Sequence, residues 1–331
     1  MAGYILRRVF LIIPVVWGAM TLLFIALLLP GDPINSLVGE KAPSATLRAQ
    51  VTEKYGLDQP LPVRYGRYVK SVLQGDLGHS YQQGRSVNDI LKQTAPNSLR
   101  LAIWALLIEV LIGLVAGVIS AVRQYSFLDT FVTVSTTMVV AVPVFVLGYL
   151  FQYALGVYTF QHGMPQWMRF PTAGIGPNEW FLFFIPTGGQ WKFLVLPAVT
   201  LASVSTAIVA RMTRTTMLEV MKADYMRTAV AKGLSARAVI LRHGMKNAMI
   251  PVVTLIGLDL ASLVGSAVLT ESVFNWPGMG GAVARAAQSL DAPVVLGLTL
   301  VIVVAYVVIN LLVDLSYAFF DPRIRYGSKS T

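Results

Sequence analysis

Glu109 and Asp259 each stand inside an apolar run, "WALLIEVLIGLV" and "TLIGLDLASLVG". A carboxylate in such a run is costly to bury, and acids of this kind mark proton carriage, the lining of a wet cavity, or a polar contact between helices. Residue types leave the last two readings open for both. Asp314 lies near the end of another apolar run, where a pair with Arg323 or contact with water accounts for it. Catalytic chemistry finds no support elsewhere. His79, His162 and His243 are widely separated, and neither H-E-x-x-H nor G-x-S-x-G occurs. The chain has no cysteine, which excludes disulfides, thiolate metal sites and thiol nucleophiles. The closing "GSKST" lacks the first glycine and the Gly-Lys pair of a phosphate-binding loop, so the chain is not expected to bind ATP. No catalytic residue, metal ligand or cofactor is assigned.

The elements that must hold these acids follow from composition. Of 331 residues, 55% are hydrophobic and 13% charged, about half the charged share of a soluble domain. Several stretches exceed the ~20 residues that cross a bilayer as a helix. Lys and Arg outnumber Asp and Glu by 26 to 16. Because they flank apolar runs, this excess reports on topology and lipid headgroups, and not on nucleic acid. The expected architecture is an all-α integral membrane protein with six transmembrane helices, at about 9–30, 99–122, 130–157, 193–212, 249–270 and 294–320. Arg7 and Arg8 put the N-terminus inside, and an even count returns the C-terminus there. The domain division is 1–30 for the N-terminus and first span, 31–98 for an extracytoplasmic insert, 99–320 for the membrane core, and 321–331 for a cytoplasmic tail. Gly113 and Gly117 form a G-x-x-x-G that lets helices approach closely. Pro143 is expected to kink the third span. Residues 158–191, rich in aromatics, glycine and proline, read as an outer loop at the interface.

The cytoplasmic loop at about 213–247 holds a basic island, "RTAVAKGLSARA" at 227–238. Its helix formers predict a helix from about Asp224 to Lys232. Gly233 offers the left-handed stop, and Ser235 the cap of a following helix. Thr228, Ala229 and Ala231 carry little bulk, so another protein's backbone could come close, while Arg227 and Lys232 could pair with acidic rim groups. An interfacial helix whose bases touch lipid headgroups is the competing reading.

The stretch "DYMRTAVAKGLSARAVILRHGMKNAMIPV" resembles the cytoplasmic EAA loop of permease subunits in bacterial binding-protein-dependent ABC importers, in particular the dipeptide/oligopeptide (DppB/OppB-type) branch. The family pattern is roughly E-A-A-x-x-x-G, nine residues, then I-x-L-P. Gly233 matches the glycine, Ala229 and Thr228 stand at the alanines, and Arg227 stands at the acid. His243, Met245 and Lys246 replace I, L and P. "LPGDP", "YGLDQPLPVRYGRY", "GDLGHSY", "LTESVFNWPGMG" and "DPRIRYG" resemble the same branch, in the same order along nearly the whole chain. The resemblance implies a type I importer permease fold in the bacterial plasma membrane. It also implies a second, homologous permease subunit, two cytoplasmic ATPase subunits holding ATP and Mg, and an extracytoplasmic substrate-binding protein. It makes Arg227, Thr228, Ala229, Lys232, Gly233 and Arg237 the ATPase-coupling set. Peptide is the implied cargo, with nickel chelates, glutathione-like molecules and sugars as alternatives. A proton-coupled transporter using Glu109 and Asp259 is the rival class.

Overall fold

A computed structural model of the chain describes residues 2–26 and 58–320. "LPGDP" and the terminal "DPRIRYG", with Arg323, fall outside them. The regular structure of the described chain is helical apart from a hairpin of two two-residue strands, β1 (Trp180–Phe181) with β2 (Ile185–Pro186), which qualifies the all-α expectation. Its helices are α1 (Ala2–Ala26), α2 (Leu61–Leu73), α3 (Val87–Val122), α4 (Phe127–Ala141), α5 (Val144–Gln161), α6 (Gln190–Met221), α7 (Asp224–Ala231), α8 (Ala236–Val273), α9 (Met279–Gln288) and α10 (Ala292–Phe320). Five of them, α3, α5, α6, α8 and α10, are long and apolar enough to cross a membrane. The apolar part of α1, Phe10–Ala26, and α4 are shorter.

The expected third span at 130–157 is two helices. Helix α4 stops at Ala141, Val142 is extended (φ −100°, ψ 129°), and Pro143 opens α5 at φ −56°. The cause is local. A proline ring disfavours helical backbone in the residue before it, and its own fixed φ suits a helix start, so the chain breaks where a kink was expected. Helix α3 begins at Val87, well before the expected span at 99. Helix α5 runs on to Gln161 through a π-helical turn at Gln152–Val157.

The chain divides into two compact units, residues 1–98 with 277–331, and residues 99–276; α3 contributes to both. In the first unit α1 packs along α10. There Arg8 Nη1 meets Asp314 Oδ2 at 2.6 Å, a partner for Asp314 that spacing had not suggested. Phe24 of α1 lies edge-on to Tyr65 and stacked on Tyr68 of α2. Val87, Ile90, Ala282, Ala286, Val294 and Leu298 form a core joining the start of α3 to α9 and α10. Asp291 ties the loop before α3 to this core by accepting from the Ser80 hydroxyl and from Tyr81 N at 2.9 Å.

In the second unit α6 is the most enclosed of the candidate spans, packed against α4, α5 and α8. Along α3, Gly113 and Gly117 meet α6 as the G-x-x-x-G pattern implies. A Cβ at Gly113 would lie 2.8 Å from Val209 Cγ1, and one at Gly117 would lie 2.6 Å from the Ala210 carbonyl oxygen. The second obstacle is backbone and cannot rotate away. Gly117→Ala is therefore expected to destabilise the chain by about 1–3 kcal/mol, the usual cost of overpacking. A lowered thermal midpoint of the purified protein, absent for Gly18→Ala where nothing crowds the added carbon, checks it.

The loop at 162–189 is anchored to this unit by its own carbonyls. Arg100 Nε donates to Phe183 O at 2.7 Å, with the guanidinium 4.6 Å from the Trp180 ring centroid. Trp104 Nε1 donates to Phe184 O at 2.8 Å. Gln152 Nε2 donates both to Thr172 O (2.7 Å) and to Val273 O (2.9 Å), joining α5, the loop and the end of α8.

Candidate functional site

The basic island folds as its residue types dictate. Helix α7 covers Asp224–Ala231 and ends at Lys232. Gly233 has φ +76°, the left-handed stop, and the Ser235 hydroxyl accepts from Ala238 N at 3.3 Å to cap α8. Helix α8 then continues without interruption through a π-helical stretch, Val239–Gly244, into the apolar span. Helix α7 is thus held by two short turns, one to the end of α6 and one to the start of α8. Further contacts stiffen the joint: Asn247 Nδ2 donates to the Tyr225 hydroxyl at 2.9 Å, and Met226 Cε would lie 3.4 Å from a Cβ at Gly244. A force on α7 therefore reaches both long helices.

Side-chain directions sort the expected coupling set. Met226 and Ala229, each 5% exposed, face inward and pack with Val239 against Val220 and Met221. Arg227, Thr228, Val230, Ala231, Lys232, Leu234 and Arg237 face outward. Ala229 is therefore a core residue of this loop, while Val230 (62% exposed) and Leu234 supply an apolar outer surface that spacing had not singled out. Arg227 pairs with Asp224 at 3.8 Å, but both side chains are almost wholly in solvent, where such a pair contributes little.

The two intramembrane acids are brought together. Glu109 on α3 is fully buried, with Asp259 of α8 as the neighbouring charged group. Asp259 is only partly buried and accepts from Ser262 Oγ at 2.7 Å. Glu109 is enclosed within its own unit, and neither of its carboxylate oxygens meets a hydrogen-bond partner among the described residues.

A third constellation escaped the reading of residue types. Asp129, 4% exposed, receives Arg214 through both guanidinium arms, Nε to Oδ1 at 2.7 Å and Nη2 to Oδ2 at 2.9 Å. Ser120 Oγ also donates to Oδ1, and Tyr125 N donates to Oδ2 at 2.9 Å. One carboxylate thus fastens the end of α3, the turn after it, the first turn of α4 and α6. The signal was present as Ser126-x-x-Asp129, the S/T-x-x-acid pattern of a helix start; its partner Arg214 looked like one more topology charge. Among the described residues no cluster of His, Asp or Glu could hold a metal ion.

Comparison with known proteins bears on nearly the whole chain. Residues 113–326 match the family described as binding-protein-dependent transport system inner membrane component, and residues 1–102 match its N-terminal region. The dipeptide transport system permease protein DppB of Alkalihalophilus pseudofirmus is 37% identical over 98% of this chain and 100% of its own length. The probable D,D-dipeptide transport system permease protein DdpB of Escherichia coli K12 is 40% identical over 97% of each. The glutathione transport system permease protein GsiC of Salmonella typhimurium is 35% identical over 98% of this chain and 100% of its own.

Proposed function

The chain belongs to the family of inner membrane components of binding-protein-dependent transport systems, and on that premise we propose that it is the permease subunit of an ATP-driven importer of short peptides in a bacterial inner membrane. Relatives described as dipeptide, D,D-dipeptide and oligopeptide permeases support the cargo class. A glutathione permease of similar identity keeps a modified peptide within it. The chain is a non-catalytic membrane subunit. A second permease subunit completes the path, two ATPase subunits on the cytoplasmic side bind ATP and Mg, and an extracytoplasmic binding protein delivers cargo.

The observation that carries the coupling role is the placement of α7. It is a short helix with an outward face of Arg227, Thr228, Val230, Ala231, Lys232 and Leu234, joined by tight turns to two apolar helices long enough to span. Seated in a groove of an ATPase subunit, it moves as a rigid body when nucleotide draws the ATPases together. The ends of α6 and α8 move with it, which switches the path between inward-facing and outward-facing states. Val230 and Leu234 fill the groove, and Arg227 and Lys232 meet its acidic rim.

The test is purification of the assembly from membranes, with identification of the co-eluting chains and uptake of labelled dipeptide into proteoliposomes. Two ATPase subunits and a second permease should co-elute, and uptake should need ATP and binding protein and resist a protonophore. Uptake abolished by the protonophore, with no ATPase present, would instead assign transport to the Glu109–Asp259 pair.

A further inference from the structure

Beside the coupling loop, the second unit carries a groove of about 600 Å³, and of its lining residues only Arg237 belongs to the expected coupling set. Val118, Ile119 and Val122 of α3, Leu128 of α4, and Ile240 and Leu241 of α8 line it. The remaining two lining residues are Arg123 and Arg237, one following α3 and one at the start of α8. Ile119 and Leu241 are 40% and 49% exposed, so the groove is open and aliphatic. Both arginines are exposed, and neither has an ion pair or hydrogen-bond partner for its guanidinium among the described residues. The acid nearest Arg123 in sequence, Asp129, is already occupied by Arg214.

We propose that this groove binds one anionic phospholipid, its phosphate held between Arg123 and Arg237 and the upper part of an acyl chain lying along the aliphatic wall. The level of the groove selects a lipid over other occupants. Its wall of Val118, Ile119 and Val122 closes the apolar run of α3 and Arg123 follows directly, the residue pattern of a boundary between hydrocarbon and headgroups. Tyr125, 87% exposed in the adjoining turn, is of an aromatic type that settles at that boundary. Two cations over an apolar trough complement a phosphodiester on an acyl chain, whereas free phosphate would leave the trough unfilled. The groove borders both the end of α3 and the π-helical stretch that leads out of the coupling loop. A bound lipid therefore braces the loop against α3, and lipid composition becomes an input to coupling.

The full chain, purified with the subunits that accompany it, is titrated in detergent with palmitoyl-oleoyl phosphatidylglycerol or with the phosphatidylcholine of the same chains, and bound lipids are counted by native mass spectrometry. One phosphatidylglycerol per copy should be retained in preference to phosphatidylcholine and should not be displaced by inorganic phosphate. Arg123→Gln with Arg237→Gln should weaken its retention by about 30-fold, from ~1 kcal/mol for each basic residue near an anionic surface. Arg123→Lys with Arg237→Lys should keep most of it. Leu128→Trp, which fills the trough and leaves both charges, should also lose it. Equal retention of the two lipids, or full retention of phosphatidylglycerol by the glutamine double variant, overturns the proposal. A photo-crosslinking amino acid at Leu128 should capture lipid in native membranes, and capture of a protein chain in its place would equally overturn it.

Discussion

Val230→Glu should abolish ATP-driven uptake while leaving the chain folded and inserted, whereas Ala229→Glu, one residue earlier, should remove the folded chain itself. The difference is direction. Val230 is 62% exposed on the outer face of α7, and a carboxylate there is harmless in the free subunit. Once α7 is seated in a groove, the same carboxylate is desolvated without a partner, at about 2–5 kcal/mol. That corresponds to a ~30-fold to several-thousand-fold loss of docking. Ala229 instead lies against Met226 and Val239. A glutamate there both overpacks the joint and buries a charge with no cation beside it, two of the mechanisms behind the largest single-residue losses. Size-exclusion profiles of the two variants, the ATPase recovered with each, and dipeptide uptake separate the outcomes. Normal uptake by Val230→Glu would refute the docking surface. A well-folded Ala229→Glu chain would refute the packing.

Asp129→Ala should strongly destabilise the second unit. It leaves the Arg214 guanidinium, 26% exposed, without its acceptor and deprives Ser120 and the Tyr125 amide of theirs. Removing one partner of a largely buried ion pair costs about 3–5 kcal/mol, a large share of the ~5–15 kcal/mol that holds an ordinary domain. Asp129→Asn should lose less, because its one carbonyl oxygen still accepts the two hydrogen bonds that reach either carboxylate position. Arg214→Met, which removes the cation and keeps the aliphatic stem, should fall between wild type and Asp129→Ala, because Asp129 keeps Ser120 and Tyr125. Thermal midpoints of the purified protein test the order. If the alanine variant melts with wild type, the pair is not fastening the four segments.

Residue patterns reached some of these features and missed others for identifiable reasons. The stop at Gly233 and the cap at Ser235 were legible because a left-handed φ and an unsatisfied helix N-terminus are local demands that few residue types meet. The approach of α3 to α6 was legible at Gly113 and Gly117, since a four-residue spacing of glycines opens one helix face. Pro143 marked a perturbation correctly in place but not in kind. Whether a proline bends a helix or ends it depends on whether neighbouring groups satisfy the carbonyls it frees, and that is decided by packing. The outward turn of Val230 and inward turn of Ala229 were not legible. Tyr225, Met226, Ala229 and Val230 share an apolar arc opposite Asp224, Arg227 and Thr228, and a helix that packs on its own chain and also docks on a partner does not declare by that arc which of the four its own chain covers.

By itself the sequence determined that the chain is membrane-embedded and helical, that it carries no cysteine chemistry, metal motif or phosphate-binding loop, and which short segment links two of its spans. Each of these rests on composition or on a demand confined to a few neighbouring residues. Only the tertiary structure decided that Asp314 meets Arg8, that Glu109 faces Asp259, that Asp129 gathers donors from Ser120, Tyr125 and Arg214, and that Arg123 and Arg237 flank one aliphatic groove. Except for the Asp129 contacts within its own turn, those partners lie far apart along the chain. Charge and polarity state that a residue needs a partner, and the packing of helices against one another chooses which.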